Sequence, residues 1–116
     1  MNKEIKAKWV DALRSGEYGE AAGCLRTSLD GFCAIGVLVD IAINDGGIGC
    51  WAHHSGIWWH EIDHADGVSE WHFAAGPEVI EWAEITAVRK LDNLWQRMDN
   101  EGQSFRELAD YIEKTF

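Results

Sequence analysis

A chain of 116 residues fits one domain, 1–116, because about 100 to 150 residues close a single core. Its ten Lys and Arg against twenty Asp and Glu give a formal charge of -10, so its field repels phosphate backbones and anionic lipid. Nucleic-acid and membrane partners are thereby excluded at the level of charge, and hydrophobic usage of 47% excludes disorder over most of the length.

The first residues, Met1-Asn2-Lys3-Glu4-Ile5-Lys6, lack the apolar run of a signal peptide, and no later run approaches the roughly 20 apolar residues of a membrane span. A cytoplasmic location is expected. Three cysteines, Cys24, Cys33 and Cys50, make no paired framework and suit a reducing compartment as small, mostly buried side chains.

In chain order, Ile5, Trp9, Ala12 and Leu13 recur at helical spacing over residues 3–15, and Gly16 offers a stop. Cys24–Thr27 and Phe32–Ala34 flank Ser28-Leu29-Asp30-Gly31, whose Asp-Gly pair predicts a hairpin. The run Phe32–Ile43 alternates like a strand but also carries a helical stripe. Its length, about twelve residues, and its end at Asn44-Asp45-Gly46-Gly47 favour a helix.

From Ile48 to Gly76 the texture becomes aromatic, His and Gly, which predicts short strands. A three-residue loop Ala65-Asp66-Gly67 would pair His64 with Val68, Ile62 with Glu70 and His60 with His72. His60, His64, His72 and Glu70 would then share one face, with Trp59 and Phe73 paired on the other. Pro77 suits a first helical turn before Val79, Ile80, Trp82 and Ala83, and Ala87, Leu91, Leu94 and Met98 carry a stripe onward after a kink near Thr86. Ser104 and Glu107 predict a capping box ahead of Phe105, Leu108, Ala109 and Ile112. The expected class is α+β: an N-terminal helix, short antiparallel hairpins, and two or three C-terminal helices packed on them.

Four blocks carry a resemblance: Lys8-Trp9 with Ala12-Leu13-Arg14-Ser15-Gly16 and Tyr18; Asp30–Leu38 with Asp40; Pro77 with Val79 and Trp82; and Asn100-Glu101-Gly102 with Ser104-Phe105 and Ala109. Through them the chain resembles a family of small phage and prophage proteins without an assigned activity. The segment Ile48–Phe73 lies outside the resemblance. Ala34 stands where a second cysteine is common in such relatives, which weakens any mechanism that needs a cysteine pair. The resemblance implies a mobile-element protein that regulates or blocks a host system, working in the host cytoplasm.

Chemistry concentrates in the middle. Trp58, Trp59 and Trp71 with His60, His64 and His72, and Trp51 nearby, form a candidate ligand wall: indoles stack on a planar base while imidazoles reach ribose or phosphate. The leading expectation is a non-catalytic, phage-type binding protein that sequesters a nucleotide-derived immune signal, with no cofactor and no metal. Its partners are a nucleotide-type small molecule or a host defence protein, and a homo-oligomer is compatible with the sequence.

Two alternatives stand beside it. His60-Glu61-Ile62-Asp63-His64 has the His-Glu-x-x-His order of metalloproteases, and with His72 it suggests a metal-dependent or His-based hydrolase. The acidic surface suggests an inhibitor occupying a basic host surface. Cys33 at a helix start is a candidate nucleophile against the plainer reading of a buried thiol. Gly102 with Tyr111 and Ile112 matches the first part of a helix-turn-helix motif, but no basic recognition helix follows.

Overall fold

The first helix starts where the sequence offers a cap. In the computed structural model, which describes residues 1–116, α1 (Lys3–Ser15) begins with the Asn2 side chain accepting from the amides of Glu4 and Ile5 at 3.0 and 3.1 Å, and Gly16 ends it in the left-handed conformation. The last helix, α5 (Phe105–Thr115), carries the expected capping box between Ser104 and Glu107 and packs along α1. Ile5, Trp9 and Leu13 on α1 and Leu108, Ala109 and Ile112 on α5 are buried there. Each fully buried large apolar side chain contributes about 1.5 to 3 kcal/mol.

Between them runs α2 (Ala34–Gly46), buried continuously from Ala34 to Val39 and again at Ile41 and Ala42. A helix apolar on nearly every side is a central helix, which is why its sequence reads both as alternation and as a stripe. The indole N–H of Trp9 donates to the carbonyl of Ala34 at 2.9 Å, tying α1 to the start of α2. Gly36 lies so close to Leu25 that a Cβ there would stand 1.9 Å from the Leu25 carbonyl oxygen.

The expected hairpin at Asp30-Gly31 is only a turn. Asp30 takes a positive φ of 61° and the Thr27 amide donates to the Gly31 carbonyl at 2.7 Å, but the ladder beyond is a single bridge between Arg26 and Phe32. Cys33 and Ala34 are already bending into α2, Cys33 as its N-cap. The strand β2 (Gly31–Phe32) instead pairs in parallel with β1 (Gly19–Glu20).

A three-stranded antiparallel sheet follows: β3 (Cys50–His54), β4 (Ile57–His64) and β5 (Gly67–Trp71), with β4 in the middle. The expected register is corrected by one residue. His64 pairs with Gly67, Ile62 with Ser69, Glu61 with Glu70 and His60 with Trp71, so the turn contains only Ala65 and Asp66. A slip of one residue moves every side chain of one strand to the other face. His72 and Glu70 therefore lie opposite to His60 and His64, and Trp59 meets His72, with ring centroids 4.6 Å apart, in place of Phe73.

The chain then enters α3 (Pro77–Trp82), with Pro77 in its first turn, and α4 (Val88–Asp99). The expected kink near Thr86 is a full break over residues 83–87, where Glu84 takes a positive φ of 56°. The whole is the α+β architecture expected, with a helical body and a small sheet beside it. No helix is long and apolar enough to cross a membrane.

Candidate functional site

The six residues of the expected ligand wall divide between the two faces of the sheet. The inner face, toward the body, carries Trp58, His60, His64 and Trp71; the outer carries Trp59 and His72. Each tryptophan of the adjacent pair also has partners within the chain. Trp58 has the Arg26 guanidinium 3.7 Å from its ring centroid and His53 at 4.8 Å, and Arg26 is held by Asp30 at 2.7 Å. Trp59 stacks on His54, with centroids 5.3 Å apart and planes 6° from parallel, and meets His72 on its other side.

The inner face is joined to the body by polar contacts. The Trp51 indole donates to Asp40 on α2 at 2.9 Å, and the other Asp40 oxygen accepts from the Tyr18 hydroxyl at 2.5 Å. Burial, and then this hydrogen bond to a carboxylate, push the Tyr18 phenol well above its ordinary range. His60 is fully buried and its Nε2 lies 2.8 Å from the Ile48 carbonyl, an acceptor only, so Nε2 carries the proton. Burial lowers the His60 pKa and keeps the ring neutral.

Its Nδ1, the Trp71 indole nitrogen and one Glu78 oxygen are buried without partners. The other Glu78 oxygen lies 3.2 Å from His64 Nε2, which is also 2.9 Å from the Ser69 hydroxyl. Gly76, at the start of α3, lets the Trp71 indole press close: a Cβ there would stand 2.8 Å from Trp71 Nε1. These groups make a seam between the sheet and α3.

This arrangement separates the residues of the hydrolase alternative. Glu61 and His72 project outward while His60 and His64 project inward, and a strand cannot bring the two His of a His-Glu-x-x-His order together as a helix does. Cys33 is buried and desolvation pushes its thiol up to about 12, the opposite of what a nucleophile needs. The Tyr111 ring on α5 lies beneath the Arg97 guanidinium, 3.9 Å from it, and the helix serves as packing for α1.

Two features were not anticipated from the sequence. The first is an apolar cleft of about 570 Å³ between the Phe73–Ala75 segment, α3 and α4, lined by Ile35, Phe73, Ile80, Val88, Leu91 and Trp95, with Asp92 and Gln96 at its polar edge. Val88, Leu91 and Trp95 stand at i, i+3 and i+7, a stripe that reads as core; half-exposed Phe73 and the Trp95 indole donating to its carbonyl at 2.7 Å open it to solvent. The second is His54, whose imidazole meets Glu61 and Glu70 on the outer face of the sheet.

The fold and these surfaces define a small acidic α+β protein, with a helical body bearing an apolar cleft and a three-stranded sheet with histidines on both faces. Over residues 1–116 the chain matches a family described as a domain of unknown function, DUF8296, and it belongs to that family. No curated protein and no solved structure matches it.

Proposed function

We propose that this protein is a non-catalytic, phage-type binding protein that counters a host defence pathway by sequestering a nucleotide-derived signal, with the base held in the cleft between α3 and α4. The observation that carries the reading is the cleft's chemistry. It offers two aromatic rings, Phe73 and Trp95, on apolar walls, and an amide and a carboxylate, Gln96 and Asp92, at one edge. A pocket that is mostly apolar with a few convergent polar groups suits a planar base, whose faces stack and whose edge pairs with an amide or acid. Arg89, exposed directly after the cleft-lining Val88, is a cation on the same helix. The division of His60, His64 and His72 between two faces supports binding over hydrolysis. The phage setting and the host target rest on the sequence blocks around Trp9, Cys33, Val79 and Phe105.

The test is incubation with a panel of adenine and guanine nucleotides, linear and cyclic, followed by heat release and analysis of what is recovered. Intact ligand is expected, with quenching of Trp95 fluorescence on binding. Phe73→Ala should weaken binding by about five- to a hundredfold, since base–aromatic stacking is worth about 1 to 3 kcal/mol. Trp58→Ala, on the far sheet, should leave affinity unchanged. Recovery of cleaved product, absence of binding across the panel, or an unaltered affinity in Phe73→Ala would overturn the proposal.

A further inference from the structure

No lysine or arginine occurs between Arg26 and Arg89, so the whole sheet has no basic side chain of its own. On its outer face Glu61 and Glu70 stand directly opposite each other in the ladder. Like charges so placed destabilise a sheet, and here no Lys or Arg bridges them. The neighbouring group is His54, fixed in orientation by stacking flat on Trp59, while the Trp59 indole donates to the His54 carbonyl at 3.4 Å. The His54 Nε2 lies 3.4 Å from a Glu61 oxygen and 3.9 Å from a Glu70 oxygen, and one ligand atom from each of the three residues falls within 4.8 Å of the others.

The geometry points to a divalent transition-metal site formed by His54, Glu61 and Glu70, of the zinc class. Two ligands each about 2.0 to 2.2 Å from one tetrahedral ion stand roughly 3.3 Å apart, so the 3.4 Å between His54 and Glu61 is already ligand spacing and Glu70 needs only a small rotation. An imidazole among two carboxylates selects zinc, cobalt or manganese over magnesium and calcium, which prefer oxygen throughout. Cys50 stands opposite Glu61 on the other neighbouring strand and is exposed, so a thiolate is within the same rung of the sheet for a softer ion. Three protein ligands leave coordination positions open to solvent, which turns an acidic, anion-repelling face into one that receives an anionic group. The site is independent of the cleft between α3 and α4.

The experiment uses the untagged, metal-stripped full chain, titrated with zinc chloride and separately with magnesium chloride by calorimetry, with cobalt absorption as a second readout. One equivalent of zinc should bind, magnesium should not, and zinc should raise the melting temperature. His54→Gln, Glu61→Gln and Glu70→Gln should each weaken zinc binding by at least about ten- to a hundredfold, the loss that follows removal of a group that only supports a metal ligand. His64→Gln, on the inner face, should bind as the parent does. Circular dichroism keeps folding separate from binding, and Glu61→Gln, which removes a like-charge neighbour, should melt no earlier than the metal-free parent. A sulfur-to-cobalt band lost in Cys50→Ser would add the thiolate to the set, while a cobalt spectrum without that band leaves Cys50 out of it. Absence of saturable zinc binding, or equal binding by Glu61→Gln and Glu70→Gln, would overturn the site and leave His54 as an ion-pair partner of two carboxylates.

Discussion

Replacing Gly36 by alanine sets two effects of opposite sign against each other. Gly36 is in the third helical position of α2, and glycine within a helix is about 0.8 to 1.0 kcal/mol less favourable than alanine, so propensity alone predicts stabilisation. Sterics predict the reverse, because the new Cβ would stand 1.9 Å from the Leu25 carbonyl oxygen and 2.7 Å from its carbon. Contact separations are about 3.5 to 4.0 Å, so α2 or the Leu25 segment must move by roughly 1.5 to 2 Å. Neither moves freely, since Leu25 is fully buried and its carbonyl accepts from the Cys33 amide at 3.2 Å. Overpacking of this kind costs about 1 to 3 kcal/mol and more where backbone must shift, so sterics win by about 2 kcal/mol. Urea unfolding followed by tryptophan fluorescence measures it: with a slope of about 1 to 3 kcal/mol per molar, the midpoint should fall by roughly 0.7 to 2 M. A midpoint equal to or above that of the parent would refute the close approach of α2 to Leu25.

Ser104→Ala should cost about 0.5 to 2 kcal/mol through loss of the capping box on α5, read as a lower denaturation midpoint with an unchanged slope. Folding should weaken on acidification through His60: with its pKa lowered in the fold, the unfolded chain binds the extra proton first, so stability is complete above about pH 6.5 and declines below it as far as the lowered value. His60→Gln should flatten that part of the stability–pH curve. Alkylation of the folded protein should label exposed Cys50 first, Cys24 more slowly and Cys33 only after denaturation, as peptide mass spectrometry would show; early labelling of Cys33 would contradict its burial.

The helices were legible because their signals are local. Gly16, the Ser104–Glu107 pair, Pro77 and the Asn44–Gly47 stop each act within a turn of the residues they bound, whereas the Asn2 cap showed only in the structure. For Phe32–Ile43 length decided correctly between two periodicities. The sheet was legible as a hairpin but not in register, because Ala65-Asp66-Gly67 permits both a two- and a three-residue loop and the residues beside it alternate weakly. That one step separates His60 from His72 and hides His54, which meets Glu61 only once β3 is laid beside β4. The cleft was illegible for a different reason. Val88, Leu91 and Trp95 have the spacing of core residues, and only the break at 83–87 and the position of Phe73 leave one side of them uncovered.

The seam between sheet and body has a consequence for motion. The helices meet through continuous apolar packing, whereas the strands add to that core only the partly buried rings of Trp51 and Trp71 and are otherwise fastened by polar ties: Leu25 to His72, Trp51 to Asp40, His60 to Ile48 and His64 to Glu78. Ile62, the one buried aliphatic side chain of β4, stands outside the main core cluster. Water can replace a polar tie at small net cost but cannot replace buried apolar area. The three strands therefore form a unit that can lift from the helices without unfolding them, so their amides should exchange with solvent by partial opening while those of α1, α2 and α5 wait for global unfolding.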